Sequence, residues 1–222
     1  MFLVINKIRD YLIRKDDYFI SFLIIFYSVG LPGLLIPQTH TLFINLFPMA
    51  LLISFAVMLL LHSAPYNTKT VSGLLIIAVA GYLIEVIGVN TSLIFGSYKY
   101  GAALGFKVFS TPLMIGINWV LLVYATGSIV SAIPVNPVFR IVIASLLMLL
   151  YDFVLEQAAP RLDMWNWEGG EVPLQNYIAW LLIALCFHAF IRQTGIKIRN
   201  PVALTIFLCQ LLFFVLLLIF SR

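Results

Sequence analysis

Several things are scarce in this chain, and each scarcity excludes something. Charged residues make up only 10% of 222 positions, against 63% hydrophobic. A soluble domain cannot carry that balance, whereas a polytopic membrane protein does. Histidine occurs three times, as His40, His62 and His188, with no H-x-x-x-H or E-x-x-H spacing. The histidine-rich ligand set of a membrane di-iron hydroxylase or desaturase is therefore missing. No G-x-G-x-x-G, P-loop or G-x-S-x-G element is present, which removes the dinucleotide, nucleotide and serine-hydrolase fingerprints. No repeated aspartate-rich motif is available to hold magnesium and a diphosphate. There are two cysteines, Cys186 and Cys209, both within apolar runs. They read as buried free thiols rather than a disulfide.

What is present is long apolar runs. A helix crossing a ~30 Å hydrocarbon core needs about 20 mostly apolar residues. Seven runs qualify: Tyr18–Ile36, Leu42–Leu61, Val71–Val89, Pro112–Ile133, Val138–Ala158, Leu174–Ile191 and Val202–Phe220. They lack the alternation of a transmembrane β-barrel. The expected fold is an all-α polytopic bundle in one domain, residues 1–222, with residues 1–17 as an N-terminal segment. No small-residue cleavage site follows the first run, so that run reads as retained. With seven spans, Lys7, Arg9, Arg14, Lys15, Lys69, Arg140, Arg192, Lys197 and Arg199 fall on one side. Lys99, Lys107, Arg161 and Arg222 fall on the other. That excess places the N-terminus in the cytoplasm. The net charge of +4 then reflects topology and contact with the bilayer, not nucleic acid. The expected location is the inner cell membrane of a bacterium or archaeon.

Six of the nine acidic residues lie in loops or in the N-terminal segment; Glu85, Asp152 and Glu156 lie within spans. An ionised carboxylate at mid-bilayer costs about 2.5–3.5 kcal/mol even on insertion scales. Asp152 and Glu156, at i and i+4, share a helix face. Glu85 and Asp152 each lie fourteen residues into their spans. At ~1.5 Å per residue the three acids share a depth near the outer side, so they can converge on one site. The alternative is that they merely fix helix packing by hydrogen bonding.

Two connections are long: residues 90–111 and residues 159–173. Both leave acid-bearing helices, and both are rich in aromatics and glycine. They read either as a lid lining an apolar slot or as an interfacial aromatic belt. A short echo links them: TPLMIGINW (Thr111–Trp119) and VPLQNYIAW (Val172–Trp180) each place Trp seven residues after Pro. The unit "acid helix, aromatic loop, Pro–Leu, helix with Trp" thus occurs twice in one orientation. A parallel repeat would set two half-sites side by side.

Carboxyls among aromatics suit acid–base chemistry without a cofactor or metal. A carboxylic acid in an apolar site can stay protonated near neutral pH and protonate an electron-rich alkene. Aromatic faces stabilise the resulting cation, and a second carboxylate can direct water onto it. Proton loss or internal trapping would instead give isomerisation or cyclisation. Proton-coupled transport, lipid binding or a purely structural role are the readings from other classes.

The segment GYLIEVIGVNTSLIFGSYKY, followed by Leu104–Gly105, TPL and Asn118–Trp119, resembles the carotenoid hydratase family. That family includes the bisanhydrobacterioruberin and γ-carotene 1',2'-hydratases. YDFVLEQAAPRLDMWNW followed by VPLQN is similar to the family's second signature, and the resemblance runs from Gly81 to Trp180. The chain departs from the pattern at GGEV (Gly169–Val172). The resemblance implies hydration of the terminal double bond of an acyclic carotenoid, with no redox cofactor and with the substrate supplied by the bilayer. On this reading Asp152 is the proton donor, while Glu156 and Glu85 position water or share the proton. Asn90, Asn118 and Asn176 are candidate hydrogen-bonding partners. Tyr98, Tyr100, Trp165 and Trp167 are expected to line the slot, as are Trp119 and Trp180. Asp163, Glu168 and Glu171 are expected to be solvated loop charges.

Overall fold

The computed structural model describes residues 9–221; Lys7 and Arg222, used in the charge count, lie outside them. The helices are α1 (Asp16–Leu35), α2 (Pro37–Asn45), α3 (Phe47–Leu60), α4 (Thr68–Thr91), α5 (Met114–Ser131), α6 (Pro137–Ala158), α7 (Leu174–Thr194) and α8 (Ala203–Phe220). Six are long and apolar enough to cross a membrane, and α2 with α3 makes a seventh if that bent pair is one span. The chain is an all-α polytopic membrane protein.

The second apolar run is where the expectation of a continuous helix fails. It breaks at Leu46, with a bend of 54° between α2 and α3. Pro48 falls in the first turn of α3, where its missing N–H is tolerated, but it could not have donated within a continuous helix. The other boundaries follow ordinary capping. Asn67 accepts from Thr70 N at 2.9 Å to start α4, and Asn136 accepts from Val138 N at 2.8 Å to start α6, ahead of Pro137. Gly195, at φ 64°, ends α7, a conformation that costs glycine little.

Helix α5 is the hub. It packs against α3, α4, α6 and α8, and 72% of its apolar window is buried. Its sequence is apolar all round, as a central bundle helix requires. Peripheral helices instead show an apolar face outward: Ile25, Val29, Leu75, Ile76, Leu182 and Leu212 are exposed, which suits contact with lipid. Cys186 is also exposed, and Cys209 is half-buried. Both thiols are free, as expected, but Cys186 is not buried. It sits on an outer face, which the all-apolar run could not reveal.

At the end of the bundle opposite the long loops, His62 is fully buried. Its Nδ1 meets Tyr124 Oη at 2.5 Å, and Arg9 donates to the neighbouring Ala64 carbonyl at 2.7 Å. Burial, and then the nearby Arg9 charge, lower the His62 pKa to about 4. The folded state therefore binds fewer protons here than the unfolded chain between about pH 6.5 and 4. Stability from this site is full above that window and is lost as pH falls through it. Thermal unfolding in detergent at pH 7 and pH 4.5 should show an acid-side loss that His62→Gln diminishes; an unchanged acid loss in the variant would assign it elsewhere.

Candidate functional site

The two long loops fold inward over the acid-bearing ends of α4 and α6. Strand β1 (Tyr98–Tyr100) pairs antiparallel with β4 (Trp165–Trp167), in the register Tyr98 with Trp167 and Tyr100 with Trp165. Between them in sequence, β2 (Lys107–Val108) and β3 (Thr111–Pro112) form a second small pair. Tyr98, Trp165 and Trp167 are buried. These residues do not form an interfacial belt. Asp163, Glu168 and Glu171 are exposed, as expected of loop charges, and two of them also tie the loops together: Asp163 Oδ2 accepts from Ala102 N at 2.8 Å, and Glu168 accepts from the Ser97 hydroxyl. The reason is the strand pairing, which brings each acid to a donor far away in sequence.

Each intramembrane glutamate is held by its own loop. Tyr98 and Tyr100 both donate to Glu85 Oε2 at 2.7 Å, and Trp119 Nε1 donates to Oε1 at 3.2 Å. Trp165 and Trp167 donate to Glu156 Oε2 at 2.8 and 2.7 Å, and Asn176 Nδ2 donates to Oε1 at 3.0 Å. Burial first, and Glu85 second, raise both tyrosine pKa values, so the phenols keep the hydrogens they donate. Trp119 and Trp180, the partners in the sequence echo, stack with centroids 4.2 Å apart and planes at 20°. The two half-units thus meet face to face: two acid helices, two paired aromatic strands and two stacked indoles.

Asp152 breaks that symmetry. It precedes Glu156 by four residues; the residue four before Glu85 is Gly81. A Cβ at Gly81 would lie 2.6 Å from the Trp119 ring, so the first half needs glycine to seat its indole. Asp152 is fully buried. Its Oδ2 accepts from Asn176 Nδ2 at 3.2 Å, while its Oδ1 has no hydrogen-bond partner among the described residues. One amide thereby bridges Asp152 and Glu156.

Two neighbouring cavities lie in this part of the bundle. The smaller, about 20 Å³, is lined by Glu85, Glu156, Tyr98, Tyr100, Asn118 and Asn176, with the indoles of Trp119, Trp165, Trp167 and Trp180 around them. That volume admits about one water. The larger, about 510 Å³, is almost wholly apolar. It runs from Leu104, Met164 and Leu155 down to Phe213 and Phe214, and outward to Phe22, Ile25, Val29 and Met49, the last four exposed on the bundle surface. Ile115, Asn118 and Trp165 line both cavities.

The structure therefore gathers eleven of the twelve sequence candidates. Asn90 is not among them: its amide donates to Val86 O at 2.7 Å and Phe109 O at 2.9 Å, tying down a loop. Asp152 stands behind Glu156 and Asn176 and lines neither cavity. Sequence reading missed Ile115, Tyr151, Leu155 and Gln210 as cavity residues, because an apolar or lone amide residue in a span carries no mark of which face it takes.

Paired acids and aromatic strands next to a largely apolar cavity define a polytopic membrane protein with one buried polar site. The chain matches the model of the family described as carotenoid biosynthesis protein over residues 46–221, and it belongs to that family. It is also 29% identical over 126 residues to the bisanhydrobacterioruberin hydratase of Haloarcula japonica, an alignment covering 50% of this chain and 41% of that protein. The chain thus matches less than half the length of this curated relative. No solved structure matches it.

Proposed function

We propose that this protein is a carotenoid-modifying hydratase, adding water to the terminal double bond of an acyclic carotenoid end to give a tertiary alcohol. The observation that carries the reading is the adjacency of the two cavities: a chamber sized for about one water, walled by two glutamates, shares Ile115, Asn118 and Trp165 with an apolar cavity of about 510 Å³ that reaches the bundle surface. The substrate is dissolved in the bilayer and enters sideways, its end passing Ile115 and Asn118 to reach the acids. The relative named for hydration and the family's place in carotenoid biosynthesis favour the same chemistry.

The carboxyl pair Asp152–Glu156 holds one proton, since two carboxylates this close do not both ionise readily. Glu156 faces the chamber and passes the pair's single proton to the less substituted carbon of the terminal double bond; Asp152 shares that proton with it beforehand, and the water's proton restores it. The tertiary cation that forms lies among the faces of Trp165, Trp167 and the tyrosines, where π-systems favour positive charge. Glu85, fixed by three donors, orients the water, which attacks the cation and surrenders a proton to a carboxylate. The proton count closes without an oxidant or reductant, so this route needs no cofactor. The chamber also argues against plain isomerisation, which has no use for a polar recess beside the cation.

The test is expression in cells that accumulate lycopene, grown in water enriched with heavy oxygen, with pigments read by chromatography and mass spectrometry. A more polar pigment carrying heavy oxygen is the expected product. A pigment of unchanged mass but altered mobility would replace this reading with cyclisation or isomerisation.

A further inference from the structure

The large cavity contains one polar station that the proposed hydration does not use. Gln210, on α8, lines it and is 4% exposed. Its Nε2 donates to Tyr27 Oη at 3.0 Å; Tyr27 Oη meets Ser54 Oγ at 2.7 Å; and Ser54 Oγ donates to the Ala50 carbonyl at 3.0 Å. The last bond fixes the direction of the rest. Ser54 spends its hydrogen on Ala50, so Tyr27 donates to Ser54, and Gln210 donates to the tyrosine oxygen. Three helices, α1, α3 and α8, thus orient one chain of donors, each bond polarising the next. The chain leaves over a single group: Gln210 Oε1 is buried and has no partner among the described residues. An unmet buried acceptor is unfavourable; apart from Tyr27, Asn118, Tyr151 and Trp165, the other side chains lining this cavity are apolar, Leu34, Leu51 and Phe213 among them.

Depth separates this station from the acids. Gln210 lies seven residues into α8, and Asp152 fifteen into α6; both helices start from the same end of the bundle. At ~1.5 Å per residue the two differ by roughly 12 Å along the helix axes. Gln210 therefore sits along the cavity, beside whatever chain fills it, and not at the reacting end.

We infer that Gln210 Oε1 is a binding site for a hydroxyl group on an isoprenoid chain, so that this cavity prefers a chain already bearing an alcohol over the bare hydrocarbon. The inference rests on the proposed reading in one respect, that the cavity receives an isoprenoid chain. The hydroxyl donates to Oε1, completing the run Gln210–Tyr27–Ser54–Ala50 with the one donor it lacks. An ether oxygen cannot, having no hydrogen to give.

The test uses the full-length protein in detergent micelles, with geranyllinalool, an acyclic isoprenoid alcohol, and its methyl ether as probes. Each competes with diphenylhexatriene for the cavity. The alcohol is expected to displace the fluorophore at about tenfold lower concentration than the ether, the effect of one good neutral hydrogen bond. Gln210→Leu should erase that difference while still binding the ether, and Gln210→Met, closer in shape, should do the same if the leucine variant folds poorly. Equal binding of alcohol and ether to the native protein would overturn the inference, as would a difference that survives in both variants, or no displacement by either probe. Failure here is separable from failure of the hydratase reading. The competition assay reads binding alone, and heavy-oxygen incorporation into lycopene is scored separately on the native protein, so either result can fail without the other.

Discussion

Asp152→Asn is expected to reduce formation of the hydrated pigment by at least about 100-fold, the usual contribution of a positioned acid or base, with the protein still folded in the membrane. The substitution keeps the shape of the side chain. It also keeps an oxygen able to accept from Asn176, which now bonds Asp152 Oδ2 at 3.2 Å. What it removes is the ability to carry an acidic proton. A packing role would tolerate that exchange, because the buried Oδ1 satisfies no partner among the described residues. Pigment analysis of cells expressing matched amounts of native and variant protein decides the matter. Hydration retained at a tenth of the native level or more would remove Asp152 from the chemistry and leave the proton with Glu156 alone.

Glu156→Ala should produce the largest loss of stability. Its side chain accepts from Trp165, Trp167 and Asn176, and truncation strands both indole donors and leaves Asn176 only its bond to Asp152. Each unmet buried donor costs about 1–3 kcal/mol, so a total of several kcal/mol is expected, enough to release β4 from β1. Glu156→Gln separates structure from chemistry. Its amide oxygen can still accept from the two indoles, at the expense of the Asn176 contact, so the fold should largely survive while hydration is lost. Thermal unfolding in detergent, followed by tryptophan fluorescence, reads the first effect directly, since two of the chain's four tryptophans bond this carboxylate. A melting temperature unchanged in Glu156→Ala would mean that the strand pair holds without its acid anchor.

Much of this arrangement is legible from the chain alone, and the parts that are not have definite physical causes. Apolar runs of membrane length mark the helices, because hydrocarbon tolerates little else. The break at Leu46 escapes such a reading, since Phe47–Leu60 is apolar on either side of the question and Pro48 can start a helix as well as end one. Glu85, Asp152 and Glu156 stand out because acids at that depth are costly, and equal distances along parallel helices place them at one level. Their division of labour is not legible. It emerges only from register: Tyr98 opposite Trp167 and Tyr100 opposite Trp165 bring each glutamate its donors and leave Asp152 with a bare oxygen. The Pro–Leu and Trp echo marks Trp119 and Trp180 as equivalent positions, but that their indoles stack is seen only in the fold. Asn90 misleads because an asparagine at a helix end serves a loop as readily as a ligand. Gln210 and His62 give no sign in the sequence of what surrounds them, being single polar residues within or beside apolar runs.

The mismatch between Gly81 and Asp152 reaches beyond the site itself. The scaffold is doubled, but the aspartate is present once, and the apolar cavity reaches the bundle surface along one flank, past Phe22, Ile25, Val29 and Met49. On the proposed hydratase reading, a pigment with two equivalent termini would therefore meet the acids one terminus at a time. Between visits it has to back out into the lipid, turn end for end and thread in again. Its half-converted form is then a free species in the bilayer, open to any other enzyme dissolved beside it.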